Sequence, residues 1–243
     1  MKNKITNIGK LLTFMLLTIA SLFSIKAQEV GVGADLVSRY IWRGLEIGNS
    51  PSLQPTISFG YGGFEIGAWG AYQLGRDASA KPSDEIDIYM SYGIELGSSS
   101  LDLIFTDYYF PNAGFKLGNF NNHNDADGPG GHVLEIGASL TLPESFPLTL
   151  AGYINFYNDK NNSVYLYTSY PLEVKEVDLE IFLGATPGGD ALYYGTDKFN
   201  VINFGLTASK EIKITDDFSL PIFGSYIINP NQDIAHFIFG VSL

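Results

Sequence analysis

The sequence contains no cysteine, three histidines and two tryptophans, and it is poor in bases, with 14 Lys+Arg against 26 Asp+Glu in 243 residues and a formal charge of −12. Without cysteine there is no disulfide scaffold, zinc–thiolate site, cysteine nucleophile or lipid-bearing residue of a lipoprotein. The shortage of bases argues against a nucleic-acid partner, because phosphate recognition needs a basic face. At 16% charged residues the chain is also far from a disordered polyelectrolyte. Beyond residue 28 no apolar run approaches the roughly 18–20 residues of a helical membrane span.

What is present begins with an export address. Lys2, Lys4 and Lys10 precede an apolar stretch, Leu11 to Phe23, followed by Ser24-Ile25-Lys26-Ala27. This is the basic, apolar, small-residue order of a secretory signal, and the apolar part is too short to span a bilayer. Cleavage is expected near Ala27, leaving residues 28–243 as the mature chain. Residues 1–27 hold four lysines and no acid, so the mature chain carries 10 basic and 26 acidic residues.

From Val30 onward the apolar pattern has period two, as in Val30, Val32, Ala34, Leu36, Tyr40 and Trp42, or Ile86, Ile88, Met90, Tyr92, Ile94 and Leu96. Successive strand side chains point to opposite faces, so each such run has one apolar face. Twelve runs of this kind are expected, the last ending at Leu243. The connections between them fall at 45–51, 62–63, 75–83, 97–99, 111–131, 143–147, 158–162, 173–176, 187–199, 213–218 and 229–232. The three longest are all odd-numbered. Long connections gathered at one end are the mark of an antiparallel up-and-down transmembrane barrel, with short periplasmic turns and longer outer loops. A Greek-key sandwich has no reason to sort its loops in this way. An even strand number also brings both termini to the periplasmic side. Aromatic residues toward strand ends (Tyr40, Trp42, Tyr61, Phe64, Tyr72, Tyr92, Phe110 and Tyr170) suit a membrane interface.

The blocks Ser38-Arg39-Tyr40-Ile41-Trp42-Arg43-Gly44, Pro51-Ser52-Leu53-Gln54 and Gly63-Phe64-Glu65-Ile66-Gly67-Ala68-Trp69 resemble the opening of the TorF-like porin family. Glu85-Ile86-Asp87-Ile88-Tyr89, Tyr109-Phe110-Pro111 and Glu135-Ile136-Gly137 are similar to its later blocks, in the same order. The resemblance implies a Gram-negative outer-membrane barrel with a diffusion role, and brings neither a substrate nor catalytic residues.

A barrel of twelve strands is wide enough that side chains must narrow a water path or fill it. The residues expected to line it are Asp35, Arg39, Arg43, Glu65, Glu85, Asp87, Glu135 and Glu180, with an almost purely acidic inner mouth. Carboxylate rings concentrate cations, so a weak cation preference is expected. Arg39 and Arg43 either face Glu85, Asp87 and Glu135 across a constriction or pair with them and close the lumen. Trp69, Tyr89, Tyr153, Tyr157, Tyr165 and Tyr167 are expected to point inward, as a stacking track or as filler.

Rival chemistry is weaker. His123, His132 and His236 lack a nearby nucleophile and orienting acid in sequence, so no enzyme is expected. The loop Asn121 to Gly128 offers oxygen ligands, yet an EF-hand reading puts His123 and Leu134 at ligand positions, so neither a metal nor any other cofactor is expected. The expected partners are outer-membrane lipid, small hydrophilic solutes and, during insertion, the barrel-assembly machinery. Two other readings remain at this stage. One is a plugged structural or adhesion barrel whose loops 111–131 and 187–199 bind external partners; the other is a soluble periplasmic β protein.

Overall fold

The computed structural model describes residues 28–75, 84–189 and 191–243; the expected signal segment, residues 1–27, lies outside the described residues. Fourteen strands follow in chain order: β1 (Glu29–Val37), β2 (Tyr40–Trp42), β3 (Leu45–Gly48), β4 (Ser52–Tyr61), β5 (Phe64–Gln73), β6 (Glu85–Leu96) and β7 (Ser99–Tyr109). After a single 3₁₀ turn at Pro111–Ala113 come β8 (His132–Thr141), β9 (Thr149–Tyr157), β10 (Val164–Val174), β11 (Val177–Thr186), β12 (Asn200–Lys213), β13 (Ser219–Asn229) and β14 (Ile234–Ser242).

Twelve of these, β1 and β4 to β14, form one closed barrel in which every neighbour is antiparallel and sequential. The seam joins the first strand to the last. Asp35, Leu36 and Val37 oppose Ser242, Val241 and Gly240, and Ala34 and Leu243 exchange backbone hydrogen bonds of 3.1 and 2.9 Å. Closure removes the unpaired strand edges that would otherwise template aggregation.

The period-two pattern resolves into an outside and an inside. Along β1 and its partner β4, Val30, Val32, Ile57 and Phe59 point outward and are exposed, Val32 at 78%. Ile88 and Tyr92, Leu166, Phe204 and Leu206, and Phe237 and Phe239 continue the apolar exterior around the wall. Their alternating neighbours are buried and polar, among them Gln54, Glu85, Asp87, Glu135, Asn155, Ser169, Asn203, Ser225 and His236. This inversion of the usual order, oil outside and polar groups within, suits a wall in contact with hydrocarbon and differs from two stacked sheets burying oil between them. Barrel strands of 9 to 14 residues match the roughly 9–11 needed to cross a bilayer at a tilt.

The connections sort as expected. Those that begin at 38, 74, 110, 158, 187 and 230 leave from one rim, and those at 62–63, 97–98, 142–148, 175–176 and 214–218 share the other with both described ends of the chain. Gly62 and Gly63, both at positive φ (60° and 88°), close one of the three two-residue turns of the barrel.

One element departs from the expected pattern. The first barrel strand ends at Val37 instead of running on to Trp42, and β2 and β3 form a separate two-stranded sheet. Trp42 opposes Leu45 across a two-residue turn, Arg43-Gly44, with φ of 49° and 79°. Positive φ at both central positions is the geometry that matches the twist of a tight hairpin. Tyr40 and Trp42 therefore leave the expected interface belt; Tyr40 is buried, whereas Phe64, Tyr72 and Tyr92 remain on the exposed exterior.

Candidate functional site: the lumen and its inserted hairpin

The hairpin β2–β3 leaves the long-loop rim and seats its tip inside the barrel. Gly44 fixes the seat. A side chain there would run into the Ile202 carbonyl of β12, and the Gly44 carbonyl accepts a 3.2 Å hydrogen bond from Asn229 Nδ2 of β13. Ile202 and Asn229 are fully buried beneath it.

Arg43 at the tip reaches across to β8. Its Nη1 and Nη2 donate to Glu135 Oε2 and Oε1 at 2.7 and 2.8 Å, and Nη1 also donates to the Tyr194 hydroxyl at 3.0 Å. The guanidinium lies 4.5 Å from the ring centres of Trp42 and Tyr165 and 4.9 Å from that of Tyr153. Burial works against its charge, but the acidic groups around it, Tyr194, Tyr108 and Glu135, hold its pKa well above the ordinary value. Planar, bidentate pairing with stacking on aromatic faces is a geometry that lysine does not reproduce.

The other expected lumen residues divide between this tip, the wall and the inner mouth. Arg39 stays on the hairpin, 2.5 Å from Glu46, and is partly exposed. Glu85 and Asp87 on β6 are buried and hydrogen-bonded to each other, and the Tyr40 hydroxyl of the hairpin donates to Glu85. Burial, with Glu85 and Asp87 beside it, pushes the Tyr40 phenol well above its usual pKa. Asp35 sits half-buried on β1 between Ser242 and Gln54. Toward the short-turn rim, Glu65 accepts from the Tyr89 hydroxyl and Glu180 from the Tyr167 hydroxyl at 3.0 Å. Tyr108 likewise donates to Glu135 at 2.9 Å. A recurring tyrosine–carboxylate pair thus holds the lumen acids against the wall.

The lumen also shows why its glycines sit where they do. On the inner face Gly67 opposes Tyr89, Gly137 opposes Tyr153, and Gly205 opposes Phe182. At each, a β-carbon would strike the ring of the facing strand; at Gly137 it would lie 2.7 Å from Tyr153 Cε1. The rings therefore lie flat along the wall. Tyr153, Tyr165, Tyr167 and Phe182 follow one another at centroid spacings of 6.3, 6.1 and 6.4 Å, and Tyr165 meets Tyr194 at 6.1 Å. Trp69 packs on Tyr40 at 5.5 Å. Tyr157 differs from expectation. A bulge between Leu134 and Glu135 sets it opposite outward Leu134, and its hydroxyl donates to the Phe120 carbonyl of the long loop.

The histidines have other occupations. His132 Nδ1 lies 2.8 Å from Asp107 and Nε2 lies 2.7 Å from the Leu117 carbonyl, with the ring stacked 3.8 Å from Phe120. It anchors loop 110–131 to the outer rim. His236 Nδ1 lies 3.7 Å from Glu46 of the hairpin. In the loop 121–128, Asp125 accepts from the Asn122 N–H, and Asn122 Oδ1 accepts from the N–H groups of His123 and Asn158. Two oxygens a hard cation could use, Asp125 Oδ2 and Asn122 Oδ1, are thus spent on folding the loop. Among the described residues no group of three His, Asp or Glu side chains is placed to hold a metal ion.

Sequence reasoning missed Tyr194, Tyr108, Asn229 and Ile202, which together seat the hairpin. The adjacent pair Tyr193-Tyr194 in an otherwise polar loop was the one available signal; Asn229 and Ile202 gave none.

Residues 25–218 match the model of a family described as bacterial protein of unknown function (Gcw_chp); the matching model does not carry the TorF-like name. No curated protein matches the sequence. Among solved structures, the KdgM porin is similar with a TM-score of 0.52 at 9% identity, over 89% of this chain and 98% of that one. The outer membrane protein OprD from Pseudomonas aeruginosa aligns with a TM-score of 0.38 at 14% identity, over 90% of this chain and 65% of that one. At such identities the likeness to KdgM speaks for the fold, a closed antiparallel barrel of the porin kind.

Proposed function

The chain belongs to the Gcw_chp family of bacterial proteins of unknown function, and from that premise we propose that it is an outer-membrane channel for passive diffusion of small hydrophilic solutes, with a weak preference for cations. The observation that carries this reading is the polarity of the barrel wall: apolar side chains outside, and carboxylates, amides and hydroxyls inside a closed ring of twelve strands. A fold whose interior is polar has no driving force to collapse into a dry core, so water fills what the side chains leave.

In this reading residues 1–27 are removed on export and residues 28–243 enter the outer membrane through the barrel-assembly machinery. The hairpin β2–β3 narrows the path from the outer side. Asp35, Arg39, Arg43, Glu65, Glu85, Asp87, Glu135 and Glu180 line it. Arg43 is neutralised by Glu135 and Arg39 by Glu46, so the net field of the remaining carboxylates is negative and favours cations. No step in this function needs a catalytic group.

Proteoliposomes test it. Vesicles carrying the purified protein should swell in small sugars at rates that fall as solute size rises, and the protein should fractionate with outer-membrane lipid. Vesicles no more permeable than protein-free ones would overturn the channel. The depth of the hairpin favours one second reading, a plugged barrel that presents loops 110–131 and 187–199 to external partners, and this reading predicts that impermeable result.

A further inference from the structure

The seam between β14 and β1 is incomplete at its outer end. Its ladder stops at Val37 and Gly240, so the six residues Ile234 to Phe239 of β14 lie beyond it, whereas the ladders β4–β5 and β6–β7 run to within one residue of their outer ends. Ser38 alone reaches further: its N–H donates to the Phe239 carbonyl at 2.8 Å, and its Oγ accepts from the Phe239 N–H at 3.0 Å. There the chain turns into the lumen. Phe239 shows which residues of β14 aim backbone groups at the seam, and by period two the next are Phe237 and Ala235. Among the described residues no strand pairs with them on that side. A notch of about 280 Å³ lies there, lined by Ser38, Arg39, Ala235, His236 and Phe237.

Phe237 is 75% exposed on the apolar exterior, so this edge faces lipid. An open edge is costly there, because little water reaches its N–H and C=O groups. The strand that would cover it is already attached. Continuing the β1–β14 register past Val37 sets Tyr40 opposite Phe237 and Trp42 opposite Ala235. Both aromatic rings would then point outward in phase with Leu36, at the membrane interface that favours them. Continuing the β1–β4 register sets Arg43 opposite Glu46 across a Gly44-Leu45 turn, with glycine at the first position as a type II′ turn requires. A guanidinium that leaves Glu135 therefore meets a second carboxylate.

We propose that the hairpin β2–β3 is a two-state gate, either seated in the lumen or swung out to complete the wall, with residues 38–43 paired along the outer edge of β14. The seat offers the Arg43–Glu135 pair, the Asn229–Gly44 hydrogen bond and the stacking of Trp42 on Tyr194. The wall offers backbone partners for Phe237 and Ala235 and a membrane interface for the two aromatic rings. Interactions of similar kind stand on both sides, the condition under which two packings of one segment lie close in free energy. The proposal rests on the channel reading only for its consequence, a wider water path; the exchange itself needs no conductance.

The chain has no cysteine, so paired cysteines report the swung state. In the seated state residue 42 packs against Tyr108 and Tyr194 within the lumen, while Ala235 is exposed on the exterior. Only the swung state sets the two directly opposite, at a Cα separation of about 5.5 Å that suits a disulfide. The full-length Trp42→Cys/Ala235→Cys variant in lipid vesicles, treated with a mild oxidant, should form that bond, read by mass spectrometry of the digested protein. Trp42→Cys/Phe237→Cys, one step out of register, should form it at least about tenfold more slowly, since diagonal neighbours lie roughly 7–8 Å apart. Adding Arg43→Gln to the in-register pair loosens the seat and should speed the bond about tenfold or more, the loss of a charge-assisted hydrogen bond. Adding Phe237→Pro, which removes a seam-side N–H and leaves the β13 ladder intact, should slow it. In a planar bilayer the oxidised in-register pair should hold larger current steps, and a reducing thiol should restore the small ones. Equal rates for the two cysteine pairs, or no bond in the folded in-register variant with Arg43→Gln, would overturn the gate. The two ideas separate on the same preparation: an in-register bond without any current rejects the channel alone, and current without the bond rejects the gate alone.

Discussion

Arg43 and Glu135, 92 residues apart in sequence, meet inside the barrel in two parallel hydrogen bonds of 2.7 and 2.8 Å. The pair ties a loop of the outer rim to the outer half of the wall. Glu135 is 2% exposed and the Arg43 side chain 11%, so neither charge has much access to water to replace its partner.

Removing one partner should therefore be worse than removing both. Arg43→Gln leaves Glu135 buried without a cation, and a loss of about 3–5 kcal/mol is expected. The double variant Arg43→Gln/Glu135→Gln should recover a substantial part of it. Denaturant unfolding in detergent followed by tryptophan emission measures all three.

Gly44 makes a second test of the same seat. Gly44→Ala adds a methyl group against the Ile202 carbonyl at a positive φ of 79°, so the tip cannot dock. Protease sensitivity within residues 38–50 should rise while the barrel itself stays protected. A variant that remains as resistant as the native protein would mean the hairpin is held elsewhere.

The twelve strands and the sorting of their connections were legible in the sequence because period-two alternation and turn residues both report local geometry. The hairpin was not. Tyr40 and Trp42 continue the alternation of Val30 to Leu36 in phase, with only Ser38 between, and alternation is satisfied equally by a barrel strand and by a small sheet folded inside it. The one local sign of the turn was Gly44 at the end of the apparent strand, just before the expected connection at 45–51, a residue that suits positive φ or close approach. Arg43 and Glu135 were recognised as inward, but which acid Arg43 would choose depends on Tyr194 and Asn229, contributed by segments far along the chain. The bulge at Leu134 had no sequence mark either, and so Tyr157 was assigned to the wrong face.

The rings laid over lumen glycines give a third prediction. Gly137→Ala should lift Tyr153 off the wall, costing about 1–3 kcal/mol as overpacking and narrowing the water path. Single-channel current should fall, whereas Gly152→Ala, with only a 3.6 Å contact to Leu166, should leave it unchanged.

Outside and inside should respond oppositely to charge. Val32→Arg puts a cation on the most exposed part of the apolar exterior and should cost about 2–4 kcal/mol near the midplane. Ser139→Arg, on the inner face of β8 two residues from Gly137, should insert normally and shift ion preference toward anions. Folding yield into lipid vesicles and reversal potentials in a salt gradient read the two effects.

The most direct measurement is single-channel recording of the full-length protein in a planar bilayer, beside a variant in which residues 39–47 are replaced by two glycines. A polar lumen narrowed by its own hairpin should give small discrete steps in the native protein, a reversal potential on the cation side, and distinctly larger steps once the hairpin is gone. Membranes that stay silent with both proteins would contradict a water-filled path through this barrel.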